Sequence, residues 1–127
     1  MKRGDSIKRF IIEFGLGIDL HGQDVTKAAS KAVKDAISKS CLIGLAEIVE
    51  IKDPKEDILI KVTVAVSKPE LVDKDIVAEH LPVGTVTVTP VTGGLTVPGL
   101  YFPALGDKDD SMEAAIAVVE VWVKTAK

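Results

Sequence analysis

The sequence predicts an α+β chain: a single sheet of about five strands with two helices on one face, in a ferredoxin-like or chorismate-mutase-like sandwich. Three observations predict it. Short alternating runs rich in Val and Ile recur along the chain, as half-buried strands require. Two other segments carry helix signals, the longer repeating apolar residues at three and four positions, the shorter opening with cap residues. These segments succeed one another as β-α-β-β-α-β-loop-β, the order of a split βαβ arrangement. At 127 residues, 46% of them hydrophobic, the chain is expected to form a single domain over 1–127.

Each element has its own signal. Residues 8–15 alternate, with Phe10, Ile12 and Phe14 on one face, and are expected to form the first strand. A glycine-rich corner follows, from Gly15 to Asp24. In residues 25–40, Val25, Ala28, Ala29, Ala32, Val33, Ala36 and Ile37 form one stripe, opposite Lys27, Lys31, Lys34, Asp35 and Lys39. The stripe is mostly alanine, so this helix can lie close to a sheet, and Asp24 is its natural N-cap. Residues 42–51 are expected to be a second strand, joined by the turn Asp53-Pro54-Lys55-Glu56-Asp57 to a third at Ile58–Val66, as a hairpin. Ser67-Lys68-Pro69-Glu70 and Asp73 offer caps for a short helix that Pro82 stops. Thr85–Thr89 is a fourth strand, residues 90–111 a long Gly-, Pro- and Asp-rich loop, and Ala114–Val123 a last strand.

Composition excludes several function classes. With 16 Lys+Arg against 19 Asp+Glu, and no basic cluster larger than Lys2-Arg3 or Lys8-Arg9, nothing builds a phosphate-tracking face, so no nucleic-acid partner is expected. No apolar run spans a bilayer, and Glu13 and Asp19 interrupt the stretch that could pass for a signal peptide. A single cysteine, Cys41, suits a reducing cytoplasm and is expected to be a buried structural thiol. The last strand is apolar on both faces, which predicts that a second copy covers one of them in a homo-oligomer, a trimer or larger ring.

The chemistry concentrates in Gly15-Leu16-Gly17-Ile18-Asp19-Leu20-His21-Gly22-Gln23-Asp24. A dinucleotide loop is excluded, because that loop enters its helix at once, and because Asp19 and Asp24 would repel a phosphate. Asp19 and His21 could anchor a divalent cation, with Asp24, His80, Asp107, Asp109 or Asp110 as third ligand. None has a diagnostic spacing, and no metal site is assigned. The acidic run around Asp107, Asp109 and Asp110 lacks the glycine and terminal glutamate of a calcium loop. Metal-free proton transfer fits better: Asp19 would orient His21, a residue type that ordinarily titrates near neutrality. Gly15, Gly17, Gly22, Gln23 and Asp24 would supply donors to a ligand. Opposite them, Gly93, Gly94, Tyr101 and Asp107 of the long loop would form a lid or second wall.

The stretch from Gly15 to Gly22, with Gln23-Asp24-Val25-Thr26-Lys27-Ala28-Ala29, resembles a family of uncharacterised bacterial and plastid proteins, the Lin family, defined by Gly-x-Gly-x-Asp-x-His-Gly. The likeness extends to Thr92-Gly93-Gly94-Leu95, Val97-Pro98-Gly99-Leu100-Tyr101 and Leu105-Gly106-Asp107-Lys108. It implies that Gly15, Gly17, Asp19, His21 and Gly22 belong to the site, and it implies no reaction or cofactor. The expected function is binding of a small polar molecule, a carbonyl compound or cyclic amide, with Asp19 and His21 catalytic if the protein is an enzyme. A non-enzymatic assembly or scaffold protein is the alternative.

Overall fold

In the computed structural model, which describes residues 6–125, the first strand outruns its alternation: β1 spans Ser6–Asp19, through both glycines, and the corner shrinks to residues 20–24. Helix α1 (Val25–Ile37) follows, capped by the Asp24 carboxylate, which accepts the Lys27 N–H at 3.1 Å. The basic pair Lys2-Arg3 lies outside the described residues.

Residues 42–51 are not a strand. A short helix, α2 (Gly44–Glu47), lies there, and the expected turn after it forms a second, α3 (Pro54–Asp57). Leu42, Leu45 and Val49 stand three and four residues apart, which is helical spacing, and they turn toward the core while Ile43 and Ile48 are exposed. The expected hairpin is therefore absent. Strand β2 (Ile58–Val66) leads through a 3₁₀ turn (Pro69–Leu71) and helix α4 (Lys74–Ala78), capped by Asp73, to β3 (Thr85–Thr92), which pairs with β2 in parallel. A parallel pair needs such a crossover.

The Gly- and Pro-rich segment is less of a loop than its composition suggests. It contains the last residues of β3, a short strand β4 (Leu95–Pro98) and a 3₁₀ turn (Pro103–Leu105) before β5 (Ser111–Thr125). The mixed sheet has five strands in the order β1-β5-β2-β3, with β4 pairing β5 beyond the end of β2. Helices cover one face, where Val33, Val62, Val64, Val66, Val77 and Val119 are fully buried.

A bulge between Arg9 and Ile11 decides which side of β1 faces the helices. Phe10 packs on the core, while Ile12, Phe14, Leu16 and Ile18 face away from it, so Phe10 is split from Ile12 and Phe14. The covered side carries Glu13, Gly15, Gly17 and Asp19. Small residues are required there because α1 lies almost in backbone contact: a Cβ on Gly17 would fall 2.2 Å from the Ala28 carbonyl oxygen. At the outer edge of β1, Lys39, Asp35 and Lys31 of the α1 region bond Phe14 O, Leu16 N and Ile18 O, which shields the edge from pairing with another strand. Cys41 is exposed, contrary to the expected burial, because the chain has already left α1 and the core at that point.

Candidate functional site

Asp107 organises the corner. The 3₁₀ turn Pro103–Leu105 and Gly106, at φ 90°, fold the chain back so that the Asp107 side chain enters the 20–24 loop with no solvent exposure. Its Oδ1 accepts the Gly22 N–H at 2.8 Å and the Gln23 amide at 3.2 Å. Its Oδ2 accepts the Phe102 N–H at 2.8 Å and lies 2.8 Å from His21 Nδ1. An ionised carboxylate offers about four lone-pair sites, and these contacts use them all. Burial pushes the acid up. The donors from Phe102, His21, Gly22 and Gln23 together outweigh it and hold Asp107 well below the ordinary carboxylate range.

An ionised carboxylate can only accept, so Nδ1 of His21 carries the proton, and in the neutral ring Nε2 is the nitrogen with the lone pair. The imidazole is one-third exposed, and its ring meets Phe102 edge-on with centroids 6.0 Å apart. A histidine held by a buried carboxylate at one nitrogen, and unbonded at the other, can accept and return a proton.

Asp19 does not meet His21 in this way. It ends β1 on the covered face, only 2% exposed, and its Oδ2 accepts the Asp24 N–H at 2.8 Å. The expected Asp19–His21 pair is thus replaced by Asp107–His21, because strand alternation turns Asp19 under the helix while the loop carries His21 outward. Gly15 and Gly17 point the same way as Asp19 and serve helix packing, not a ligand. Gly22, at φ 98°, and Gln23, at φ 51°, form the tight loop. Their polar groups are already engaged: the Gln23 amide also donates to the Ser111 carbonyl at 2.8 Å, and its oxygen accepts the Lys108 N–H at 2.8 Å. Gln23 therefore clasps the two loops rather than presenting donors outward. Gly93 and Gly94 make the β3–β4 turn against Ala65 and Ala114, while Tyr101 is exposed beside Phe102.

The structure adds residues that the sequence reading missed. Glu113, opposite Asp19 across β1 and β5, is 5% exposed and accepts from Ser67 N, Ser67 Oγ and Thr96 Oγ1. A carboxylate in phase with Ala115, Ala117 and Val119 was the available signal. Among the described residues, no three His, Cys, Asp or Glu side chains cluster to hold a metal ion, and no helix is long and apolar enough to cross a membrane.

The buried carboxylate makes stability depend on acid. A folded-state acidity stronger than the ordinary value means the stabilisation is complete above about pH 5 and is lost as the pH falls through the carboxylate range. Urea unfolding between about pH 6 and 3 is expected to show a steeper acid-side loss for the wild type than for Asp107→Asn. Parallel profiles would contradict the assignment.

Comparison with known proteins places this geometry in context. The family model described as conserved hypothetical protein, Lin0512 family, matches residues 9–121. A crystal structure of an FtsZ-like protein of unknown function from Nostoc punctiforme is similar with a TM-score of 0.85 and 45% identity, over 96% of this chain and 100% of that one. No match is found among curated proteins.

Proposed function

The chain belongs to the Lin0512 family of conserved hypothetical proteins, and for it we propose a small-molecule site in which His21, oriented by Asp107, transfers a proton on a small polar carbonyl compound or cyclic amide. The observation that carries this reading is the pair of 2.8 Å contacts that fix Asp107 between His21 and the Phe102 N–H, with a third of the imidazole exposed and Nε2 unbonded among the described residues. Nε2 would take a proton from the carbon beside the carbonyl, or from a water attacking the amide, and the imidazolium would return it. Asp107 stays ionised and balances the transient charge. Phe102 and exposed Tyr101 offer an aromatic wall for the rest of the molecule. Asp19 and Glu113 act behind the site, by holding the loops. A reducing, cytoplasmic setting goes with this reading, since the one thiol, Cys41, is exposed and unbridged.

The test is a panel of small ketones, 2-oxo acids and five- or six-membered cyclic amides in deuterated water. Carbon–deuterium exchange and ring opening are followed by NMR, with wild type and His21→Ala side by side. The reading predicts at least one compound whose turnover the wild type accelerates and the variant does not. No acceleration across the panel, or equal acceleration by both proteins, counts against it.

A second reading, non-enzymatic assembly, is favoured by a separate observation. The uncovered face of the sheet exposes Phe14 (61%), Leu16 (53%) and Ile116 (47%), an apolar surface of the kind that a second copy covers. Homo-oligomers, trimeric or larger, are compatible with both readings. A monodisperse monomer in light scattering would remove the second.

A further inference from the structure

Six residues before Asp19 on β1, and roughly 20 Å from it, Glu13 lies on the same covered face near the middle of the strand. Helix α1 has ended there, and α2 and α3 stand off the sheet where a strand was expected, leaving a cleft of about 410 Å³. Small-molecule pockets fall in the range of about 300–1,000 Å³. The floor is made by Ile58, Ile60, Val119 and Val121 of β2 and β5, with Leu45 and Leu81 as walls, all buried or nearly so.

Glu13 and its partner Ser40 are the polar exceptions in this lining. Glu13 is 9% exposed, and its Oε2 accepts the Ser40 hydroxyl at 2.5 Å. Among the described residues, no donor reaches Oε1 and no Lys or Arg pairs with the carboxylate. Oε1 opens on the cleft with acceptor capacity to spare, where a donor on an occupant can take the place of water. The cleft is also separate from the dyad: none of its lining residues belongs to the 20–24 loop or to the 99–110 segment.

We propose that this cleft binds a small organic cation, an alkyl- or arylalkyl-ammonium, with its apolar body on the Ile58–Val121 floor and its ammonium on Glu13 Oε1. Charge complementarity selects the class: a carboxylate with no protein cation favours an ammonium over a neutral donor and rejects an anion. The cleft's single charged side chain and apolar floor select an occupant with one charged end and one greasy end.

The probe is 2-phenylethylammonium, with 2-phenylethanol and 3-phenylpropanoate as neutral and anionic counterparts. Binding is followed on the full chain by methyl and amide NMR shifts of Ile37, Leu42, Leu45 and Leu81. The ammonium compound is expected to shift these signals saturably below about 10 mM, at least tenfold tighter than the propanoate. Glu13→Gln is expected to weaken it about tenfold. Ala46→Trp, at an exposed position on the rim, fills the mouth and should abolish binding without disturbing the core. His21→Ala should leave binding unchanged, which keeps this site's test independent of the dyad. Equal affinity for the anion, no effect of Glu13→Gln in a folded protein, or no shifts at about 10 mM overturns the proposal.

Discussion

Gly15→Ala is expected to destabilise the protein by about 3–4 kcal/mol, near the upper end for a single methyl group. The added Cβ would lie 2.0 Å from the Ala32 carbonyl oxygen and 2.4 Å from the Ala36 nitrogen. Both obstacles are helix backbone, so no side-chain rotamer can relieve the clash, and either α1 lifts from β1 or the strand shifts in the sheet. Lifting α1 would uncover Ala28, Ala29, Ala32, Val33 and Ala36, all fully buried. Total stabilities are only about 5–15 kcal/mol, so much of the folded population is at stake. Gly22→Ala is the informative contrast: its Cβ would meet only Asp19 Oδ2 at 3.8 Å, and its cost is the left-handed φ of 98°, about 1–2 kcal/mol. Urea unfolding monitored by Trp122 fluorescence separates them. A Gly15→Ala midpoint equal to wild type would contradict the close approach of α1.

The second large effect concerns the dyad. Once the exchange panel identifies an active compound, His21→Ala is expected to lower kcat/KM by about 10²–10⁴-fold, the usual worth of a positioned proton carrier. Asp107→Asn should approach the same loss while leaving the ring in place. The amide keeps only one acceptor oxygen: if it faces His21 and the Phe102 N–H, its N–H₂ meets the Gly22 and Gln23 donors, and if it faces those, the N–H₂ meets Nδ1–H and the Phe102 N–H. Asp19→Asn provides the discriminating comparison. Asp19 bonds the Asp24 backbone and not the imidazole, so its replacement should reduce stability more than catalysis. Equal losses from Asp19→Asn and Asp107→Asn would return Asp19 to the reacting centre.

The sequence made the long elements and the caps legible, because they rest on local chemistry. The alanine stripe of α1, its Asp24 cap and the Asp73 cap of α4 all follow from spacing and short polar side chains. Residues 42–51 misled because an apolar run without clear alternation fits a strand as well as successive helical turns, and only contact with the sheet decides between them. On β1, alternation puts Phe10, Ile12 and Phe14 on one face. A bulge at Phe10 and the demand of α1 for glycines split the set, leaving Phe10 on the core and Ile12 and Phe14 outside. The site was legible as a place: His21, Gly22, Gln23 and Asp107 do converge. Which aspartate holds the histidine was not legible, since Asp19 is two residues away in sequence and Asp107 is 86. Strand parity removes the near one and chain folding supplies the far one.

The central claim is that Asp107 fixes His21 with the proton on Nδ1 and a free lone pair on Nε2. The direct measurement is the two-bond hydrogen–nitrogen correlation spectrum of the His21 ring at a pH where the imidazole is neutral. Wild type is expected to show a protonated Nδ1 and an unprotonated Nε2, and Asp107→Ala a shift toward the opposite tautomer. A wild-type ring protonated at Nε2, or a tautomer unchanged by Asp107→Ala, would contradict the claim.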